Sequence, residues 1–273
     1  MNLTDSRLVF APGVTLIAST QVHEHCWESR SPAFKRLPLQ DMGTHGDRLI
    51  EFAGRGCYDS YGQGRDSAAY HKHIQDVGHG SVLEHVSMTF WLTGISRGLT
   101  HELVRHRVGV AISQRSTRYV TESNSRIVVP PLFIVKDGDS TEAGWLKRKI
   151  QSNLLLAHET ATTVYDATFL AGVDLLPLGM DKTTARKTAR GAARASLGQD
   201  LETSMTWTVN VRSLIGFLVQ RASPYAEAEI RRLAVALLGV AREICPAYFS
   251  QVKLVDSPDG LGPSIDPTTL SRL

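Results

Sequence analysis

Apolar and polar positions change their period several times along this chain, and each change marks an element. Gly13–Ser19, a short apolar run followed by a polar, turn-rich segment, predicts a strand. Helical spacing follows over Arg48–Gly56 and Ser67–Val77, and Gly78-His79-Gly80 then offers residues that tolerate the left-handed backbone on which helices stop. The period shortens at Val86–Ile95, Val-Ser-Met-Thr-Phe-Trp-Leu-Thr-Gly-Ile, which roughly alternates and predicts a second strand. Arg97–Arg107 returns to helical spacing with Leu99, Leu103 and Val104 on one side, so Arg105-His106-Arg107 is expected at a helix end. Arg126–Pro130 predicts a short strand stopped by Pro130-Pro131. The second half is mostly helical: Glu142–Ala171, Lys182–Leu197 and, after a strand over Ser204–Val211, the pair Arg212–Arg221 and Ala226–Cys245. Little chemistry is visible in the turn-rich stretch around Ser31-Pro32 and Leu37-Pro38-Leu39. Ser257–Pro267 holds four prolines or glycines in its first seven residues, so residues 251–273 are expected to form an irregular tail. No internal repeat or low-complexity linker interrupts the pattern, and a single domain over 1–273 with its core at about 45–250 is expected.

Composition adds bounds. The chain has 273 residues, 42% hydrophobic and 21% charged, enough to bury a core without disulfides. Cys26, Cys57 and Cys245 are odd in number and lack metal-ligand spacing, which points to free thiols in a reducing compartment and hence the cytoplasm. A net charge of +3 is small for a general nucleic-acid binder. No run of apolar residues reaches membrane-spanning length, and Leu8–Ser19 lacks the basic flank of an export signal.

The positive charge is local. Arg105–Tyr119 holds four arginines, a histidine and two serines in fifteen residues, with no acidic residue among them. Part of that charge suits the carboxyl end of a helix, and a solvated basic helix end is the plainest reading. Two features go further. Val108-Gly-Val-Ala-Ile112 divides the arginines into two groups, as a buried hinge between two anion contacts would, and arginine is used throughout, whose planar fork suits phosphate or a uracil-like edge. A nucleotide-sized anion is therefore the expected ligand.

Two further stretches carry candidate chemistry. His79-Gly-Ser-Val-Leu-Glu-His85, with His71 and His73 nearby, raises the question of a metal. The His-x-x-Glu-His pattern would need histidine where Ser81 stands, so no metal is expected, and structural roles for these histidines remain open. Trp207-Thr-Val-Asn210-Val-Arg212 leads into a helix that ends at Arg221, a residue able to cap the helix or to face a ligand. Arg194, on an alanine-rich helix, is a candidate for the same anionic site. No dinucleotide fingerprint, P-loop or Gly-x-Ser-x-Gly elbow is present.

Taken together and in this order, the motifs resemble those of the flavin-dependent thymidylate synthase family. Its Arg-His-Arg, short spacer, Ser-x-Arg-Tyr pattern is matched by Arg105-His106-Arg107 and Ser116-Thr117-Arg118-Tyr119. His79-Gly-Ser-x-Leu-Glu-His85 resembles its flavin-contacting segment. Thr208-x-Asn210-x-Arg212-Ser and Arg221-Ala-Ser-x-x-Ala-x-x-Glu-Ile-Arg231 resemble its carboxyl-terminal signature, so the likeness covers roughly residues 45–250. The resemblance implies an α+β fold with a central mixed β-sheet and long helices, and a homotetramer whose sites are shared between subunits. It implies FAD as cofactor, with NADPH and 5,10-methylenetetrahydrofolate as co-substrates, and reductive C5-methylation of deoxyuridylate, a small-molecule nucleotide, with neither nucleic acid nor membrane as partner. By the same resemblance Ser81, Glu84, Arg105, His106, Arg107, Asn210 and Arg212 would contact the flavin. Glu102, Arg105, Gln114, Arg115, Ser116, Thr117, Arg118, Arg194 and Arg221 would hold the nucleotide, with Arg221 the catalytic group against the uracil edge.

The sequence departs from that pattern in four places. The spacer Val108–Arg115 is one residue longer, Glu102 replaces a glutamine, Gly216 an asparagine and Tyr225 a histidine. The altered loop and Glu102 motivate an alternative, a UMP/dUMP methylase of the nucleoside-antibiotic type that accepts the ribonucleotide. A third reading, a non-catalytic nucleotide- or RNA-binding relative, predicts a colourless protein with strongly salt-dependent RNA binding.

Overall fold

The computed structural model describes residues 2–23, 25–26 and 43–270. The stretch holding Ser31-Pro32 and Leu37-Pro38-Leu39 lies outside them. In chain order come strands β1 (Leu8–Val9) and β2 (Gly13–Ser19), helices α1 (His45–Gly56) and α2 (Ser67–Val77), strand β3 (Ser87–Ser96), helix α3 (Arg97–Leu103), and strands β4 (Val110–Gln114) and β5 (Ile127–Val128). There follow helices α4 (Thr141–Asp174) and α5 (Lys182–Ala193), strand β6 (Glu202–Asn210), helices α6 (Val211–Arg221) and α7 (Ala228–Ile244), the single turn α8 (Pro246–Phe249), and strands β7 (Leu254–Asp256) and β8 (Pro263–Ile265). Helices and sheets are both present, as the α+β expectation requires.

The helices begin where a short polar side chain can accept first-turn N–H groups. Asp66 accepts from the Ala69 N–H at 2.8 Å, Ser140 from Ala143 at 3.1 Å and Asn210 from Ser213 at 2.8 Å. Helix α2 stops at Gly78, whose φ of +70° is left-handed.

Strands β2, β3, β6 and β4 lie side by side in that order. The Val211 N–H donates to the Val86 carbonyl at 2.9 Å and the Arg97 N–H to the Leu201 carbonyl at 2.9 Å, so β3 and β6 run antiparallel. The bonds Asn210 to Gly109 and Arg115 to Ser204 give the same sense for β6 and β4. Parallel pairing occurs between β1 and β5, with Leu8 opposite Ile127.

The chain divides into two compact units, one drawn from the described residues of 1–12, 93–103 and 113–205, the other from 13–92, 104–112 and 206–273. In the first, Leu8, Ile127 and Val129 form a core to which Phe10, Phe133 and Leu154 add cover. Helix α4 turns one narrow stripe inward, Gly144, Gln151, His158 and Tyr165, spaced every seventh residue. In the second, Phe90, Trp207 and Phe217 stack in series at 6.2 and 5.2 Å between ring centroids. Leu233, Leu237 and Leu238 of α7 are fully buried, each contributing roughly 1.5–3 kcal/mol.

Four expectations are corrected. Helix α3 ends at Leu103, so Arg105-His106-Arg107 lies on the turn beyond it; Val104 is exposed and gives the helix no apolar contact to continue on. Val108–Ile112 is no buried hinge: Val108 is 82% exposed and β4 is an edge strand with a single neighbour. The tail is not irregular. β7 and β8 form an antiparallel hairpin, and Arg231, 0% exposed on α7, donates to both Asp259 oxygens at 2.7 Å. Helix α5 also ends earlier than expected, at Ala193, and Arg194 opens a 3₁₀ turn that runs to Ser196.

Candidate active site

In the second unit the third motif is carried by α6, which presents Arg212 in its first turn and Arg221 in its last. Arg221 Nε donates to His106 Nε2 at 3.1 Å, which requires an unprotonated Nε2. Burial first, then the nearby Arg221 and Arg105 charges, push the His106 imidazolium below its usual range, so the neutral acceptor form is favoured. The ring packs edge-on against Phe217 at 5.0 Å, which fixes its orientation. A guanidinium is thus held on a rigid helix by a neutral imidazole set in the aromatic core.

Asn210 has a structural task. It is 8% exposed, its side-chain oxygen caps α6 and its N–H donates to the Gly109 carbonyl at 3.0 Å. The close approach explains Gly109, whose φ is +63°: a Cβ there would stand 2.2 Å from Asn210 Nδ2 and 2.5 Å from Ser213 Oγ. Ser213 Oγ in turn donates to the Val108 carbonyl at 2.7 Å. The Arg-His-Arg turn is therefore laced to the start of α6. Ser81 and Glu84 sit on the exposed side of a 3₁₀ turn (Gly80–His85) whose Val82 and Leu83 enter the core, and Glu84 Oε1 accepts from Arg212 Nη1 at 2.5 Å. Arg105 and Arg107 are exposed and make no ion pair among the described residues. Beside Arg212, this donor set fits an anionic, hydrogen-bond-accepting group. At Gly216 a Cβ would meet nothing within 4 Å, and Tyr225 is 93% exposed.

The first unit holds the remaining candidates and a cavity of about 560 Å³ lined by Arg97, His101, Thr117, Arg194 and Gln199, among others. Thr117 and Arg194 are among the residues that the resemblance implies for the nucleotide; Arg97 and His101 belong to none of the motifs. Arg97 opens a seven-residue helix with His101 one turn on, and an i,i+4 basic pair at a helix start is the signal that was available. Burial and the charges of Arg194 and Arg115 lower the Arg97 guanidinium, with Glu122 acting the other way. Ser116 Oγ accepts the Arg118 N–H at 3.3 Å, and Arg190 of α5 clamps the same turn by donating to the Tyr119 carbonyl at 2.9 Å. Arg118 is exposed close to Gly191, which also lines the cavity. Gln114 is engaged with Thr100 Oγ1 at 3.1 Å, and Arg115 with Glu122 at 2.9 Å and the Thr121 carbonyl at 3.3 Å. Glu102 is half-buried on the last turn of α3. The structure thus groups Ser81, Glu84, Arg105, His106, Arg107, Asn210, Arg212 and Arg221 in one unit, and Glu102, Gln114, Arg115, Ser116, Thr117, Arg118 and Arg194 in the other.

A family model described as thymidylate synthase complementing protein matches residues 39–247. The flavin-dependent thymidylate synthase of Mycobacterium sp. (strain KMS) is 40% identical over 233 residues, covering 82% of this chain and 87% of that protein. The chain belongs to the flavin-dependent thymidylate synthase family. Its relative in Mycobacterium avium (strain 104) is 40% identical over 236 residues, covering 85% and 89%. A crystal structure of the UMP/dUMP methylase PolB from Streptomyces cacaoi, bound with 5-Br UMP, superposes with a TM-score of 0.64 at 19% identity over 89% of this chain and 94% of that one. That likeness concerns the fold. Membership of the flavin-dependent thymidylate synthase family makes the chain an enzyme, a methyltransferase.

Proposed function

We propose that this enzyme methylates C5 of a uridylate, with dUMP converted to dTMP, using methylenetetrahydrofolate as carbon donor and NADPH as reductant. The observation that carries the reading is the Arg221–His106 bond at 3.1 Å. Uracil C5 becomes nucleophilic as negative charge gathers on N3 and O4. A guanidinium that cannot swing away stabilises that charge without reorganising, the condition under which such donors act most strongly. Neutral His106 holds Arg221 without competing for the ligand's charge.

The second-unit guanidiniums Arg105, Arg107 and Arg212, with Ser81 and Glu84 beside them, are the groups that would hold FAD. When bound, the flavin supplies the redox chemistry of the reaction. Asn210 supports this set through its cap on α6, as Gly109 does by leaving it room. In the first unit Arg97, Ser116, Thr117, Arg118 and Arg194 would hold the nucleotide, its phosphate above all, with Gln114 and Arg115 bracing the loop. A homotetramer, with each site completed by residues of neighbouring copies, suits a chain whose arginines fall into two separate groups. No helix among the described residues is long and apolar enough to cross a membrane. Work in the cytoplasm on a soluble nucleotide is the matching setting.

UMP is the second reading. Glu102 follows His101 of the cavity wall and offers a carboxylate to a ribose 2′-hydroxyl. Single-turnover methylation with dUMP and UMP in competition decides between them: preference for dUMP supports thymidylate synthesis, equal or greater turnover of UMP moves the assignment to the ribonucleotide, and no methylation of either refutes the proposal. A yellow purified protein with flavin absorbance would exclude the non-catalytic relative.

A further inference from the structure

We infer that Glu122 sets the net charge of the first-unit cavity and so fits it to a single phosphate monoester, disfavouring pyrophosphates and longer chains. The inference rests on the nucleotide reading given above. Glu122 is 0% exposed, and a carboxylate is buried at such a cost that it needs a reason. Oε2 accepts from Arg115 Nη1 at 2.9 Å, while Oε1 has no hydrogen-bond partner among the described residues. Its backbone carbonyl receives both the N–H of Ser125 at 3.1 Å and the Ser125 hydroxyl at 2.7 Å, so the residue cannot turn out to solvent without breaking that bend.

Arg115 grips the same bend from the other side through the Thr121 carbonyl. It is thereby committed to the protein, and the cations left to line the cavity are Arg97 and Arg194. Glu122 does not line it. A negative charge behind a wall built to attract anions weakens every anion's binding, and weakens it in proportion to the anion's charge. A monoester loses least. That proportionality converts a buried carboxylate into a filter on the number of phosphates.

The test is calorimetric titration of the full-length protein with orthophosphate, pyrophosphate and dUMP. Glu122→Gln keeps the shape and removes the charge. It should raise the preference for pyrophosphate over orthophosphate by about tenfold, the effect of one charge at about 12 Å in a medium of effective dielectric about 20. Glu122→Asp should stay within about twofold of the parent protein. Arg97→Gln, which strips a lining cation, should shift the preference the opposite way. A folded Glu122→Gln protein with an unchanged ratio overturns the inference, as does a Glu122→Asp protein that behaves like it. Should Glu122→Gln fail to fold, an unchanged ratio in Arg97→Gln refutes the charge filter. Tight phosphate binding by the parent without binding of dUMP or UMP would sink the nucleotide reading while these ratios still decide the role of Glu122.

Discussion

Replacing Gly109 by alanine tests the link between the Arg-His-Arg turn and helix α6. Two costs are readable from the geometry. At φ +63° an alanine is in the left-handed region, worth ~1–2 kcal/mol. Its methyl would also lie 2.2 Å from Asn210 Nδ2 and 2.5 Å from Ser213 Oγ, so both side chains must leave. Losing the Asn210 cap costs ~1 kcal/mol and the Ser213–Val108 bond ~1 kcal/mol more. Together these come to roughly 3–4 kcal/mol, a fall in Tm of about 6–12 °C for a chain of this size. Gly138→Ala is the matched control, since Gly138 also has a left-handed φ, +89°, but a Cβ there meets nothing within 4 Å. It should show the backbone cost alone, about 1 kcal/mol. Thermal melting reports the difference between the two variants, and FAD titration of Gly109→Ala at low temperature should show weakened binding because Arg105 and Arg107 move with the turn. If Gly109→Ala melts no lower than Gly138→Ala, the packing argument is wrong.

Other substitutions probe the site and its supports. Arg221→Gln should lower kcat by about 10²–10³ with little change in nucleotide Kd, and His106→Phe, which leaves Arg221 in place without its acceptor, should lower kcat by a smaller factor at similar KM; rapid-mix turnover separates the two parameters. Burial pushes Asp47 up to about 6, so its contribution to stability falls as pH rises from about 4 to 6, whereas burial, aided by Arg55, pushes His71 down to about 4, so its contribution rises over nearly the same window. The two slopes oppose: denaturation of Asp47→Asn between pH 4 and 6.5 should show stability climbing with pH more steeply than the parent, and His71→Gln the reverse. Asp259→Asn should destabilise by about 2–3 kcal/mol, less than the loss of a fully buried pair because Asp259 is partly open to solvent, and a denaturant melt would measure it. Gly216→Asn should be tolerated in the fold, since space is open at that position and glycine is a poor helix former, giving a Tm at or above the parent's.

Much of this molecule is visible in the sequence where the determinants are local. Asp66 and Gly78 bracket α2 because a cap and a left-handed stop act within a turn, and β6 alternates because Thr203, Met205, Trp207 and Val209 all face inward. The errors fall where partners are distant. Nothing between Arg97 and Arg107 tells the chain to stop at Leu103; the stop follows from what the next residues pair with, Gly109 with Asn210 across about a hundred positions. Ser257–Pro267 has the composition of a loose tail, yet Arg231 reaches Asp259 across 28 residues and makes it a hairpin. The candidate site shows the same division. Motif spacing points to Arg221, but that His106 restrains it depends on the core ring of Phe217, and nothing local to Arg115 announces its buried partner Glu122.

Helix α6 has a consequence as a measuring rod. Arg212 and Arg221 are nine residues apart on one uninterrupted helix, two and a half turns, and so project on opposite sides about 13–14 Å apart along its axis. One faces Glu84, the other His106. Inserting a single residue between them would rotate Arg221 by about 100° and carry it off the imidazole altogether. The stretch Val108–Arg115 could take an extra residue as a bulge in β4, which has a neighbour on one side only; the span from Arg212 to Arg221 has no such slack. Evolution of this enzyme is free to edit the loops that meet its ligands, but the interval along this helix is a calibrated length that can change only by destroying the reading at one of its ends.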